Sequence, residues 1–402
     1  MPESRPVSGL EVKWLAAHRI QPPFAIDFVA ELDGQVSPPE LERAWDEVVA
    51  AHPGLCVRMK GRLARRRWVS DGRSPPLVWV DHPGWDARAG LPASVIGVEL
   101  DPEDGPVALL AVVPTAGRAA HTLVLRVLHA VTDGRGGLAV FHDLFRALDR
   151  QPLGPSRFLR TTDADISRRA GGQVSAPPPP DRAPQARVSA RPGAKGGAWV
   201  RTTIPAPESA VYGAVVAALA RWPERGQLRF TLPVDLRRHQ PDLPHTVGNL
   251  TGLVHLDVTE LARRPDAPAA IRTALKQAVD RGAHHGPVLE SEGMRKLPLR
   301  LASGAGGALS RRDQRRGLVP VSATVSNLGR LDLSKWTGGG LTARCVFVAP
   351  PASPGLPLLA VVTGNDDRVE IAGAVPAAWG PPDAWTAAFS PSPGAPPPDP
   401  PG

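Results

Sequence analysis

Apolar side chains recur along this 402-residue chain with two different periods, and the switches between them outline its elements. Leu41, Ala44, Trp45, Val48 and Val49 follow helical spacing, and Ser37-Pro38-Pro39-Glu40 precedes them with a serine N-cap and proline in the first turn. The spacing predicts an amphipathic helix that ends near His52-Pro53-Gly54. Leu55, Val57 and Met59, then Arg67-Trp68-Val69, read as strands of a hairpin. Residues 107–113 and 122–128 are two further strands, joined across Thr115-Ala116-Gly117-Arg118. The period then returns to that of a helix at Leu138, Phe141, Leu144, Phe145 and Leu148.

After residue 197 the same mixture resumes. A helix is predicted over 208–221, with Val211, Val215 and Leu219 on one face, and a longer one over 267–284. Strands are predicted at 227–232, 250–258, 319–326, 343–348, 358–363 and 368–374. Helices and strands mix without a regular βαβ repeat, which predicts an α+β fold with mixed sheets rather than a doubly wound dinucleotide fold. No repeat of fixed period is present.

Composition adds the punctuation. The 40 glycines and 47 prolines are unevenly spread. Residues 171–197, GGQVSAPPPPDRAPQARVSARPGAKGG, offer almost no large apolar side chain and read as an exposed linker. Residues 390–402, SPSPGAPPPDPPG, read as a disordered Pro-rich tail. The expected organisation is an N-terminal lobe (1–170), the linker, a C-terminal lobe (198–389) and the tail, with a ligand cleft between the lobes.

Charge and cysteine content narrow the class. Lys and Arg number 47 against 39 Asp and Glu, a net charge of +8. The basic clusters Arg65-Arg66-Arg67 and Arg311, Arg312, Arg315, Arg316 have no interleaved aromatic platform, so nucleic acid is not an expected partner. Cys56 and Cys345 lie far apart without a C-x-x-C neighbour, which suggests neither a disulfide framework nor a structural zinc and fits a reducing, cytoplasmic setting. The N-terminus lacks a basic start followed by an apolar run, and no apolar stretch approaches the roughly 18 residues a membrane span needs. An unexported monomer without membrane contact is expected.

One segment carries chemistry. The apolar run from Leu123 to Leu128 leads into His129-Ala-Val-Thr-Asp133-Gly134-Arg-Gly136-Gly137 and then the helix of Phe141 and Phe145. A histidine at a strand end places an imidazole at the mouth of a sheet. The glycines admit a ligand close to the backbone, and the first amides of the following helix are donors for an oxyanion or a phosphate. Residue types alone also permit a plain turn, in which His129 caps the strand and Asp133 the helix.

H-x-x-x-D-G-x-G-G after an apolar strand resembles the acyl-transfer signature of the HxxxD acyltransferase superfamily. That superfamily contains nonribosomal-peptide condensation domains, alcohol acetyltransferases, plant BAHD acyltransferases and chloramphenicol acetyltransferase. Three further elements, in the family's order, extend the resemblance to about two thirds of the chain. Leu41-Glu-Arg-Ala-Trp45 through His52-Pro53-Gly54-Leu55 is similar to the opening "L-x-x-A … R-H-P-x-L-R", with Ala51 in place of arginine. Leu232-Pro233-Val234-Asp235-Leu236-Arg237-Arg238 with Val247-Gly248-Asn249 resembles "P-V-D-L-R … G-N". Ser326-Asn327-Leu328-Gly329 resembles the "S-N-L-G" of the condensation-like and alcohol acetyltransferase branch. Leu128 stands where condensation domains usually carry the first of two histidines, and the D-F-G-W-G motif of the plant branch is absent. No adenylation or carrier domain accompanies the chain, which weighs against a peptide-forming role.

The resemblance implies two chloramphenicol-acetyltransferase-like lobes with a tunnel between them. An acyl thioester, on coenzyme A or on a carrier protein's pantetheine arm, would enter from one side and a small alcohol or amine from the other. His129 would be the general base, Asp133 a structural residue paired with Arg237, and Gly134 an oxyanion donor. Ser326 and Asn327 would either line the tunnel or satisfy backbone groups at a strand end. No metal or redox cofactor is implied; the acyl-CoA or phosphopantetheine-bound acyl group is a co-substrate. The alternative is a catalytically silent relative that binds a carrier protein or small acyl ligand, and a third reading is a metal-dependent hydrolase using His129, Asp133 and His142. Asn249 reads as a turn residue, and His142, His284 and His285 as solvated positions on helices. Gly304-Ala-Gly306-Gly307 is too short for a dinucleotide fingerprint.

Overall fold

The computed structural model describes residues 2–80, 85–114, 121–175, 181–182, 197–206, 211–221, 228–243, 245–316, 318–353 and 355–376. The tail and most of the expected linker lie outside the described residues; Asp181–Arg182 pairs with Leu318–Val319. No helix of the described residues is long and apolar enough to cross a membrane.

Among the described residues two six-stranded sheets with flanking helices dominate, beside a small three-stranded sheet of Ser4–Pro6, Arg67–Val69 and Arg58–Lys60, an α+β architecture. In the first sheet the strands lie in the order Thr337–Gly338, Leu341–Ala349, Ala25–Asp33, His121–Leu128, Ala108–Pro114, Leu77–Trp79. Only the last pair is parallel. The second sheet runs Thr251–Asp257, Arg229–Asp235, Ala323–Arg330, Leu359–Gly364, Arg368–Pro376, Gly197–Pro205, with parallel pairing on both sides of Ala323–Arg330. Both sheets are therefore mixed.

Their order departs from two sequential blocks. Leu341–Ala349 comes from the second half of the chain yet pairs antiparallel with Ala25–Asp33 of the first sheet. Its run Cys345-Val346-Phe347-Val348-Ala349 is buried throughout, which requires a strand covered on both faces. Arg201 adds a polar tie between the sheets. It donates to Glu370 Oε2 at 2.7 Å on the neighbouring strand and to both oxygens of Glu31 (3.0 and 3.2 Å) on the first sheet, with its guanidinium 4.3 Å from the Phe347 ring centroid. Removing Arg201 would leave the fully buried Glu370 carboxylate without its counter-charge.

Several elements match the sequence pattern closely and others do not. Helices Pro38–Ala51 and Gly134–Leu148 form where the spacing places them and pack on each other over the first sheet. Ser37 stands at the N-cap, but its hydroxyl donates to Glu40 rather than accepting a backbone amide. The expected strand 319–326 is instead Leu318–Val319 and Ala323–Arg330, separated at Pro320, which has no amide hydrogen for a ladder. The expected helix 267–284 stops at Asp280, because Gly282 adopts φ +73° and turns the chain before Gly286–Ser291 begins. Gly304, Gly306 and Gly307 lie within helix Leu299–Arg315.

The first core closes around the strand that carries the motif. His121–Leu128 lies between Ala25–Asp33 and Ala108–Pro114 and is buried along nearly its whole length. Gly137 lets the following helix settle on this sheet: a β-carbon there would fall 1.9 Å from Cζ of the buried Phe28 ring. A smaller core under the second sheet gathers Val216, Phe230, Ile271, Val325 and Ile371.

Candidate active site

His129 follows directly on the central strand, and both sheets fix its backbone. Its amide donates to the Phe24 carbonyl at 3.0 Å, and its carbonyl accepts from Asn249 Nδ2 at 2.9 Å, just before strand Thr251–Asp257. The imidazole Nδ1 lies 3.1 Å from the Thr132 carbonyl. A carbonyl only accepts, so Nδ1 carries the proton and Nε2 keeps its lone pair. The ring stacks on Trp14, with centroids 4.7 Å apart and planes at 15°, and lies nearly parallel to Phe24 at 5.7 Å. Burial pushes the His129 pKa below the ordinary 6.5, opposed by the backbone hydrogen bonds and the charge of Asp133.

Asp133 faces another set of partners. Its Oδ1 accepts from the Gly136 amide at 2.7 Å and so caps the helix; its Oδ2 accepts from Arg237 Nη1 at 3.0 Å and from the Leu250 amide at 2.7 Å. Arg237 also bonds Asp235 and the Gly248 carbonyl, and its side chain, like that of Asp133, is 7% exposed. Burial alone would raise the Asp133 carboxyl, but Arg237 and the two amides hold it below its usual value. This carboxylate thus joins the motif to the second sheet, and its charge is engaged there.

A cavity of ≈ 250 Å³ opens beside His129. Its walls come from both sheets and from helix Gly9–Ile20: Leu10 and Trp14 on the helix, Ile26 and Val348 on the first sheet, Leu253, Ser326, Leu359 and Val361 on the second. The lining is predominantly apolar. Gly134 also lines the cavity, and as the first residue of its helix it has an amide with no acceptor inside that helix. Farther along Thr251–Asp257, His255 Nδ1 meets Thr231 Oγ1 at 2.9 Å, a polar pair in an apolar wall.

Solved structures match this arrangement over nearly the whole chain. The starter condensation domain of rhizomide synthetase RzmA, in a complex with C8-CoA, is 15% identical, with 96% of this chain and 92% of that one covered and a TM-score of 0.62. The EpoB cyclization-docking bidomain from Sorangium cellulosum is 17% identical over 97% of this chain and 85% of that one, with a TM-score of 0.62. The condensation domain of the Monacolin K polyketide synthase MokA is 12% identical over 96% of each chain, with a TM-score of 0.59. The chain has the condensation-domain fold. No family model matches it, and no curated protein matches it.

Within the condensation-domain fold the positions singled out in the sequence divide into two groups. His129, Asp133, Gly134, Ser326 and Asn249 all reach the cavity, and Arg237 meets Asp133 behind it. Asn327 does not. One residue beyond Ser326 on the same strand, it points to the opposite face, is exposed, and accepts from the Gly329 amide at 2.9 Å. His142 is half-buried rather than fully solvated: its Nε2 donates to the Lys335 carbonyl and its ring packs edge-on against Trp336. Among the described residues, His129, Asp133 and His142 do not gather around a common point, as a metal-dependent hydrolase would need. His284 and His285 are buried, at 1% and 3% exposure, because the chain turns inward once the helix ends at Asp280.

Three contributors escaped the sequence reading. Trp14 sits on a helix that carried a usable signal, the capping box of Ser8 and Glu11. The strand Ala25–Asp33 shows alternation at Ile26, Phe28, Ala30 and Leu32, and Phe24 stands just before it. Thr132 acts through its carbonyl, which no sequence pattern marks. His52, in the early His-Pro motif, serves the seam between the sheets: Nδ1 meets Thr246 Oγ1 at 2.8 Å and Nε2 meets Asp143 Oδ2 at 2.9 Å.

Proposed function

We propose that the chain is an acyltransferase that moves an acyl group from a thioester to a hydroxyl or amine, with His129 as general base. The observation that carries this reading is the 3.1 Å contact of His129 Nδ1 with the Thr132 carbonyl beside an apolar cavity: a carbonyl only accepts, so the proton belongs on Nδ1 and the lone pair on Nε2. The acceptor's oxygen or nitrogen attacks the thioester carbonyl while Nε2 takes its proton. The tetrahedral oxyanion accepts a hydrogen bond from the Gly134 amide. The carbon–sulfur bond then breaks, the thiolate receives the proton from the imidazolium, and the ester or amide and a free thiol leave. Asp133 stays ionised on Arg237 and shapes the turn without taking part in proton transfer. The apolar walls suit an acyl chain, and the complex of a fold neighbour with C8-CoA supports a thioester donor. No metal or redox group enters these steps.

The experiment is release of free thiol from acyl-CoA and acyl-pantetheine series, with and without a panel of alcohols and amines. Acceptor-dependent thiol release is expected. If every thioester stays intact while acyl-CoA binds saturably, the chain is a silent binder and the catalytic reading is wrong.

A further inference from the structure

Beside Thr251–Asp257, the edge strand of the second sheet, three histidines converge, none of them lining the cavity. His239 ends the short turn Leu236–His239 that contains Arg237, and His284 and His285 follow the turn at Gly282. One nitrogen from each ring lies within 4.8 Å of the other two, and His239 Nε2 and His284 Nε2 face each other at 3.0 Å. The three ring centroids are 3.9, 4.9 and 5.2 Å apart. His284 and His285 are buried while His239 reaches solvent.

Hydrogen bonding accounts poorly for this cluster. His239 Nε2 and His284 Nε2 share one hydrogen bond, but His284 Nδ1 is buried with no hydrogen-bond partner among the described residues. A buried polar group so sparsely satisfied is unfavourable unless something compensates it. The packing nevertheless holds the rings together. The His284 carbonyl accepts from the Leu253 amide at 3.1 Å, and a β-carbon on Gly252 would fall 2.8 Å from that carbonyl. His285 Nδ1 lies 3.1 Å from Ser167 Oγ, which leaves Nε2 as the ring's other ligand atom, in the way that an outer partner orients a metal-binding imidazole.

We propose that His239, His284 and His285 form a zinc site, with water in the fourth position on the exposed side of His239. Zn²⁺ takes imidazole nitrogens at ~2.0–2.1 Å in tetrahedral geometry, which places ligand atoms roughly 3.3 Å from one another. The present spacing reaches that by small ring movements, and the exposed side of His239 is the entry path. The ion would clamp the Arg237 turn to the 284–285 turn and, through Ser167, to helix Asp163–Arg169. This departs from the sequence reading, in which no metal was expected, and it does not depend on the acyltransferase assignment.

The test uses the full chain without an affinity tag, stripped with a chelator and titrated with zinc chloride by calorimetry, with thermal melting in parallel. One ion per chain and a raised Tm are expected. His239→Ala, at an exposed position that does not endanger folding, should weaken zinc binding by about 10–100-fold or more and abolish the rise in Tm. His129→Ala should leave zinc binding unchanged. No saturable binding by the wild type, or equal binding by folded His239→Ala, would overturn the site.

Discussion

Replacing His129 by alanine is expected to lower turnover by about 10²–10⁴-fold while the protein stays folded. The size follows from the job the ring would do: without Nε2, the acceptor must attack with its proton still attached or lose it to water. The fold should tolerate the change, because the His129 backbone keeps its bonds to Phe24 and Asn249 whatever the side chain. His129→Gln should be as inactive as the alanine variant, since an amide fills the space beside Trp14 without providing a base. Matching melting curves alongside the rates check that the loss is chemical.

Asp133→Ala and Arg237→Ala should act through structure, and unequally. Removing one side of a buried pair costs up to about 3–5 kcal/mol; the survivor is cushioned in each case, Arg237 by Asp235 at 3.1 Å and Asp133 by its two backbone amides. Asp133→Ala also strips the cap from Gly136 and the acceptor from the Leu250 amide, whereas after Arg237→Ala the carboxylate keeps both amides. The aspartate variant should therefore be the less stable of the two. In the double variant neither charge is stranded against the other, so the combined loss should be smaller than the sum, as denaturant melts of the four proteins would measure. Additive losses would mean that the contact contributes nothing. The pair also sets an acid limit: the Asp133 pKa is depressed in the folded chain, so its contribution is present above the ordinary 3.8 and is lost as the pH falls through the lower folded value.

Local pattern made the motif legible and left its surroundings obscure. An apolar strand, a glycine-rich turn and an amphipathic helix follow one another within about 30 residues, so spacing alone places His129 at a strand end and Asp133 at a helix cap. The match to four family elements then joined Asp133 to Arg237, 104 residues away. Sequence spacing carries no such information for Leu341–Ala349, whose apolar run fits either sheet and whose partner is chosen by register with Ala25–Asp33. The burial of His284 and His285 was hidden for a different reason. Helical periodicity continues on paper through residue 284, and one glycine at positive φ redirects the chain. Asn327 shows the limit of motif reading: neighbours on a strand face opposite sides, so one of the Ser-Asn pair reaches the cavity and the other cannot.

The measurement that bears most directly on the central claim is the pH dependence of kcat/KM for acceptor-dependent thiol release, in the wild type and in His129→Ala. Burial lowers the His129 pKa, so the wild-type rate should hold level through neutral pH and fall in acid through a single protonation below 6.5, with the neutral ring as the active form. The alanine variant's residual rate should lack that protonation. Superimposable profiles at equal rates would contradict the account.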